Sequence, residues 1–80
     1  ALNSSINNVV CHGVPSKEDI LKDGDIVNLD ITVKKHGFIA DTSRMYLVGN
    51  VSPEARRLCE VTHECLWKGI EQVRPGNTVG

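Results

Sequence analysis

The sequence lacks several features that would place it in a class directly. No apolar run approaches the roughly 20 residues that a helix needs to cross a bilayer, so a transmembrane segment is not expected. The three cysteines include no CxxC pair, which argues against a structural zinc site. Because no signal peptide is recognisable, three cysteines favour a reducing compartment. We therefore expect a cytoplasmic protein that does not bind membranes.

Positive charge and aromatic rings are also scarce. The chain has a net charge of −1 and contains one Phe, one Trp and one Tyr. Nucleic-acid binding uses a basic surface together with aromatic side chains on which bases stack, and no segment combines the two. We therefore expect no direct binding of nucleic acid. The remaining composition, 40% hydrophobic and 24% charged, is typical of a soluble globular domain.

The pattern of apolar residues predicts an antiparallel sheet followed by a helix, an α/β (α+β) arrangement. Alternation indicates strands at about 26–34 and 38–48, and residues 1–10 form a weaker strand-like segment. Apolar residues at helical spacing from about 53 to 73 indicate an amphipathic helix, with Ser52 as its N-cap. We expect the apolar face of this helix to pack on the sheet.

The predicted hairpin carries two aspartates, which are uncommon in strands. If the turn is centred on Lys35 and His36, Asp30 lies directly opposite Asp41 on the same face. Like charges in that position destabilise a sheet, so a bound cation between the strands is the leading explanation. Two alternatives stay open, namely solvated aspartates in a slipped register and a carboxylate dyad that shares one proton.

A second candidate group is the glycine loop that contains Cys11 and His12. Neighbouring residues seldom bring sulfur and imidazole into hydrogen-bond contact, so thiol catalysis is disfavoured. His12 is better interpreted as a hydrogen-bonding group at the rim of a pocket, or as an ordinary loop histidine. In the helix, Glu60, His63 and Glu64 resemble parts of metal-binding motifs, but the second histidine of a zincin is missing. We expect these three residues to face solvent.

Taken together, these segments resemble type I methionine aminopeptidase. The similarity is carried by residues 7–15 (NNVVCHGVP), 21–33 (LKDGDIVNLDITV), 37–43 (GFIADTS) and 46–49 (YLVG), and it extends over nearly the whole chain. Prolidase and aminopeptidase P share the two-aspartate hairpin of the pita-bread hydrolases but lack the cysteine–histidine loop. The resemblance implies that residues 1–80 are the N-terminal portion of a catalytic domain and form half of a pita-bread fold.

The resemblance implies a role for each candidate residue. Asp30 would bind one divalent ion and Asp41 would bridge two, with Co, Mn, Fe or Zn as candidate metals. His12 would be a catalytic and substrate-binding residue that donates a hydrogen bond near the substrate's amino terminus. Thr32 would support the metal site without binding metal itself. The implied reaction is hydrolysis of the first peptide bond by a metal-activated water.

The resemblance also implies a biological setting, the removal of methionine from the N-terminus of nascent or new polypeptides in the cytoplasm, near the ribosome. The family usually has His-Gly where this chain has Ile39-Ala40, which would narrow the pocket locally. A histidine and two glutamates complete the family's metal site from the second half of its fold. We therefore expect an incomplete domain that needs this remaining half and is inactive alone. A non-catalytic pita-bread binding module and an Xaa-Pro peptidase stay open as alternatives.

Overall fold

The computed structural model describes residues 1–80 and contains one antiparallel sheet and one helix. Strand β1 spans Leu2–Ile6, β2 spans Ile26–Lys35 and β3 spans Phe38–Leu47, and the strand order in the sheet is β1-β2-β3. Helix α1 follows at Pro53–Glu71. The predicted α/β arrangement, an antiparallel hairpin sheet followed by a long helix, is therefore confirmed.

The turn between β2 and β3 is formed by His36 and Gly37. Both residues have positive φ angles, 50° and 80°, which is the combination that a two-residue type I′ hairpin requires. Glycine adopts this conformation without steric cost, and it fixes the second position of the turn. The prediction of a turn around Lys35 and His36 is therefore wrong, because Lys35 is the last residue of β2.

The shifted turn changes which residues of the hairpin face each other. Asp41 lies opposite Thr32, and Asp30 lies opposite Ser43. The predicted direct pairing of Asp30 with Asp41 is therefore wrong. Because side chains alternate with a period of two, a shift of two residues in the pairing leaves every side chain on its predicted face. The two aspartates are thus diagonal neighbours on one side of the sheet.

Strand β1 extends this polar side of the sheet. It pairs antiparallel with β2, so that Asn3 lies opposite Asp30 and Ser5 lies opposite Asn28. Opposed residues of an antiparallel pair point to the same side of a sheet. We call this side the aspartate face, and its members are Asn3, Ser5, Asn28, Asp30, Thr32, Asp41 and Ser43.

The segment before β2 is fixed by the carboxylate of Asp25, which is buried. One carboxylate oxygen accepts a hydrogen bond from Asn7 Nδ2 at 3.0 Å, and the other accepts one from the backbone N–H of Lys22 at 2.9 Å. Asn7 Oδ1 in turn accepts from the N–H of Ile26 at 3.1 Å. These bonds, the Asn7 side chain first, lower the pKa of Asp25. Asp25 therefore fixes the position at which β2 begins.

Helix α1 begins as the sequence predicts but packs differently. Ser52 Oγ accepts a hydrogen bond from the N–H of Ala55 at 3.1 Å, which caps the first turn. No residue of the helix is buried, and Leu58 and Leu66 on its apolar face are 59% and 57% exposed. The prediction that this face packs on the sheet is therefore wrong for these 80 residues. The helix is not sufficiently apolar along its length to cross a membrane.

Candidate metal centre

The centre of the aspartate face is the contact between Asp30 and Asp41. Diagonal neighbours in an antiparallel pair lie about 7–8 Å apart across the two strands, a distance that two carboxyl side chains can bridge. A hydrogen bond with Asp41 raises the pKa of Asp30, and desolvation and the charge of Asp41 act in the same direction. The charged form of Asp30 is therefore less favourable beside Asp41 than it would be alone.

Hydrogen bonds across β2 and β3 orient the side chains around this pair. Thr32 lies directly opposite Asp41, and its Oγ1 donates a hydrogen bond to Asp41 Oδ1 at 3.2 Å. Ser43 Oγ donates to Asn28 Oδ1 at 2.9 Å. Thr32 thus contacts one of the proposed ligands, which is the contact that its predicted supporting role requires. The bond between Ser43 and Asn28 was not foreseen from the sequence.

The loop that contains His12 lies against β1, next to the aspartates. The carbonyl of Gly13 accepts a hydrogen bond from the N–H of Ser4 at 2.9 Å, and the N–H of Gly13 donates to Ser5 Oγ at 3.1 Å. Asn3, which lies opposite Asp30, donates to the same carbonyl at 3.3 Å, and His12 acts on the pKa of Asp30 against the effect of Asp41. The structure therefore brings the predicted histidine and the predicted aspartates together.

The donor set fits part of a metal site. Carboxylate oxygens are ligands for divalent cations, and a cation between two neighbouring carboxylates offsets their repulsion. No group of three or more His, Cys, Asp or Glu residues in this chain is placed to hold a metal. Asp30 and Asp41 are thus suited to contribute two ligands to a larger set. The slipped register that would send them to opposite faces does not occur.

The candidate residues of the helix are used differently. His63 Nε2 accepts a hydrogen bond from Trp67 Nε1 at 3.1 Å, one turn further along α1. Glu60 and Glu64 are exposed, as predicted. An open groove of about 830 Å³ separates this part of the helix from β3. The helix therefore adds no ligand to the aspartate pair within this chain.

Comparisons with known proteins agree on one family. The profile described as metallopeptidase family M24 matches residues 1–80. Methionine aminopeptidase B of Synechocystis is 51% identical over 80 residues, which cover 100% of this chain and 29% of that protein. Methionine aminopeptidase of Escherichia coli K12 is 53% identical over 72 residues, which cover 90% of this chain and 27% of that protein. The chain thus spans less than a third of the length of these curated relatives.

A solved structure shows the same fold. The crystal structure of methionine aminopeptidase from Rickettsia prowazekii superposes with a TM-score of 0.92 at 53% sequence identity. The match covers 99% of this chain and 32% of the crystallised one. The three strands and the helix therefore have the arrangement of the corresponding part of that enzyme.

Proposed function

The chain belongs to metallopeptidase family M24, and we propose that its protein removes the N-terminal methionine from nascent or new polypeptides. The observation that carries the proposal is the placement of Asp30 and Asp41 as diagonal neighbours on one side of the sheet, with the loop of His12 held by Asn3, which lies opposite Asp30. Relatives that align with these 80 residues are named methionine aminopeptidases. The alternative of solvated aspartates in a slipped register is disfavoured, because the observed register places both carboxylates on the same side of the sheet, where like charges are destabilising.

We propose that two divalent ions occupy this site, with Asp30 as a ligand of one and Asp41 as a ligand of both. When bound, such ions activate a water molecule and polarise the carbonyl of the scissile peptide bond. Asp30 must lose its proton before it can bind metal, so its raised pKa makes metal binding weaker in acid. Co, Mn, Fe and Zn all accept oxygen ligands of this kind.

The other residues of the site act on the substrate and on the ligands. His12 donates a hydrogen bond to the substrate near its amino terminus and the scissile peptide bond, as the family resemblance implies. The loop of His12 is held by Asn3, which lies opposite Asp30. Thr32 restricts the rotation of the Asp41 carboxylate through their 3.2 Å hydrogen bond. His12 is thus the proposed catalytic residue of this chain, and Thr32 is a positioning residue.

We propose further that residues 1–80 form the N-terminal portion of a catalytic domain whose remaining half supplies the other ligands. Two carboxylates leave each ion with few protein ligands, so this portion alone would bind metal weakly and turn over little substrate. The proposed location is the cytoplasm near the ribosome, where new N-termini emerge. No basic, aromatic-rich segment supports direct binding to nucleic acid.

The test is a substrate comparison with the full-length protein, reconstituted separately with Co, Mn, Fe and Zn. We expect release of methionine from a Met-Gly-Met peptide and little cleavage of an Xaa-Pro peptide. Preferred cleavage of the Xaa-Pro peptide would instead identify a proline-specific peptidase of the same fold. Stoichiometric metal binding without cleavage of either peptide would favour the non-catalytic binding module. Metal content is measured in the same samples, so that an empty site is not mistaken for an inactive one.

A further inference from the structure

We propose that Ser5 of β1 is a positioning residue for His12, and this proposal rests on the function proposed above. Ser5 lies on the aspartate face opposite Asn28, and it is 6% exposed. Its Oγ accepts the N–H of Gly13, the residue that follows His12, at 3.1 Å. A buried hydroxyl is costly unless it is hydrogen-bonded, and this bond joins Ser5 directly to the histidine loop.

The peptide groups on both sides of Gly13 are fixed by β1. The carbonyl of Gly13 accepts the N–H of Ser4 at 2.9 Å and the Nδ2 group of Asn3 at 3.3 Å. A Cβ atom at Gly13 would overlap the carbonyl oxygen of Ser4, so only glycine allows this close approach. The N–H side of the same residue depends on the hydroxyl of Ser5 alone.

The backbone of His12 is in a conformation that needs such support. Its φ angle is 58°, in the left-handed region that residues with a Cβ rarely adopt. Conformations of this kind persist when the surrounding structure holds them. His12 is exposed, so packing contributes little to the position of its imidazole. The position of the His12 side chain therefore depends on its backbone, and the peptide group between His12 and Gly13 is held by the bond to Ser5.

The kinetic test uses the full-length, metal-loaded protein. Ser5→Ala removes the acceptor, and we expect kcat to fall by about 10- to 100-fold with normal metal content, because a displaced catalytic group loses its alignment. In a His12→Ala background the same change should cost nothing more, since Ser5 acts through His12. Ser4→Ala is the matched control, because its side chain lies on the opposite side of β1, and it should leave kcat unchanged. An additive loss in the double variant would overturn the proposal.

A second measurement does not depend on activity. We expect hydrogen exchange at the N–H of Gly13, followed by NMR, to accelerate in Ser5→Ala and not in Ser4→Ala. Unchanged exchange would overturn the proposal. If Ser5→Ala does not fold, the nearly isosteric pair Ser5→Thr and Ser5→Val gives the same comparison, since only threonine keeps the acceptor. Wild-type turnover by His12→Ala would refute the proposed role of His12, whereas exchange at Gly13 would still report whether Ser5 holds the loop.

Discussion

Asp25 and Asp30 lie close together in the sequence but have opposite electrostatic environments. Asp25, just before β2, accepts hydrogen bonds from Asn7 and from the backbone of Lys22, and these bonds lower its pKa. Asp30, inside β2, shares a hydrogen bond with Asp41, which raises its pKa. The first carboxylate is stabilised by the fold in its charged form. The second is made less favourable in that form by its carboxylate neighbour, and a bound cation would offset this effect.

The difference separates a structural acid from a candidate ligand. Donors that belong to the chain satisfy Asp25, so its charge contributes to stability and leaves little capacity for a ligand. A second carboxylate beside Asp30 makes the charged pair unfavourable, and this arrangement is typical of functional sites. Residue type does not distinguish the two aspartates, but their hydrogen-bond partners do.

The strongest test of this contrast is Asp41→Asn in the full-length protein. We expect activity to be abolished and metal to be lost while the fold is retained, because an amide is a neutral and poorer ligand than a bridging carboxylate. Metal content, turnover and thermal unfolding are the measurements. Turnover like that of the wild-type protein would refute the two-metal site.

The matched control is Asp25→Asn, which makes the same chemical change at the structural carboxylate. Asn7 and the N–H of Lys22 donate to different oxygens of the carboxylate, so an amide replaces one of these two acceptors with an NH₂ donor. We expect a lower unfolding temperature together with normal metal content. Loss of metal from Asp25→Asn would show that the two carboxylates are not functionally distinct.

The second prediction concerns His12, which lies beside Asp30 but is not assigned as a metal ligand. His12→Ala should lower turnover by roughly 10²- to 10³-fold, the effect of losing one donor to a transition state, and leave metal content near normal. The measurements are kcat, KM and metal analysis, with Cys11→Ala as the control on the neighbouring exposed residue. Release of metal from His12→Ala would mean that His12 is a ligand.

The sequence could predict the aspartate face but not its register. Alternation of polar and apolar residues placed Asp30 and Asp41 on one side, and that conclusion is insensitive to a shift of two residues in the pairing. The prediction that the two aspartates lie directly opposite each other was wrong because His36, which is not a glycine, takes a positive φ angle in the turn. Local sequence gives little indication that a histidine will do so.

Contacts between segments that are distant in the chain also could not be predicted from the sequence. Ser5 lies in a polar stretch with weak alternation, and its partners Gly13 and Asn28 are set by loop and strand pairing. For the helix, a contact was predicted that the structure does not contain. Its boundaries followed from the cap at Ser52 and from apolar spacing. Its apolar face does not pack on the sheet as predicted, and Leu58 is largely exposed.

The third prediction tests whether the partners of Asp41 matter as much as its charge. Thr32→Val keeps the shape of the side chain and removes the donor to Asp41 Oδ1. We expect metal affinity or turnover to fall by about 10- to 100-fold, the usual effect of removing a hydrogen bond to a metal ligand. Thr42→Val, which pairs with Ile31 on the other side of the sheet, is the control. Equal effects of the two substitutions would exclude a specific role for Thr32.

The smallest expected effect is a difference in how the two carboxylates couple stability to pH in the metal-free, full-length protein. The lowered pKa of Asp25 gives stability that is present above the ordinary aspartate value of about 3.9 and is lost as the pH falls through the folded-state pKa. The raised pKa of Asp30 acts in the opposite sense, so that its stabilisation is present in acid and is lost as the pH rises.

Near neutral pH, Asp30→Asn should therefore raise the denaturation midpoint and Asp25→Asn should lower it. Saturating divalent metal should reverse only the first of these effects, because the wild-type pair then binds a cation that the Asp30 variant binds poorly. Midpoints that shift in the same direction, with or without metal, would mean that both carboxylates serve the fold.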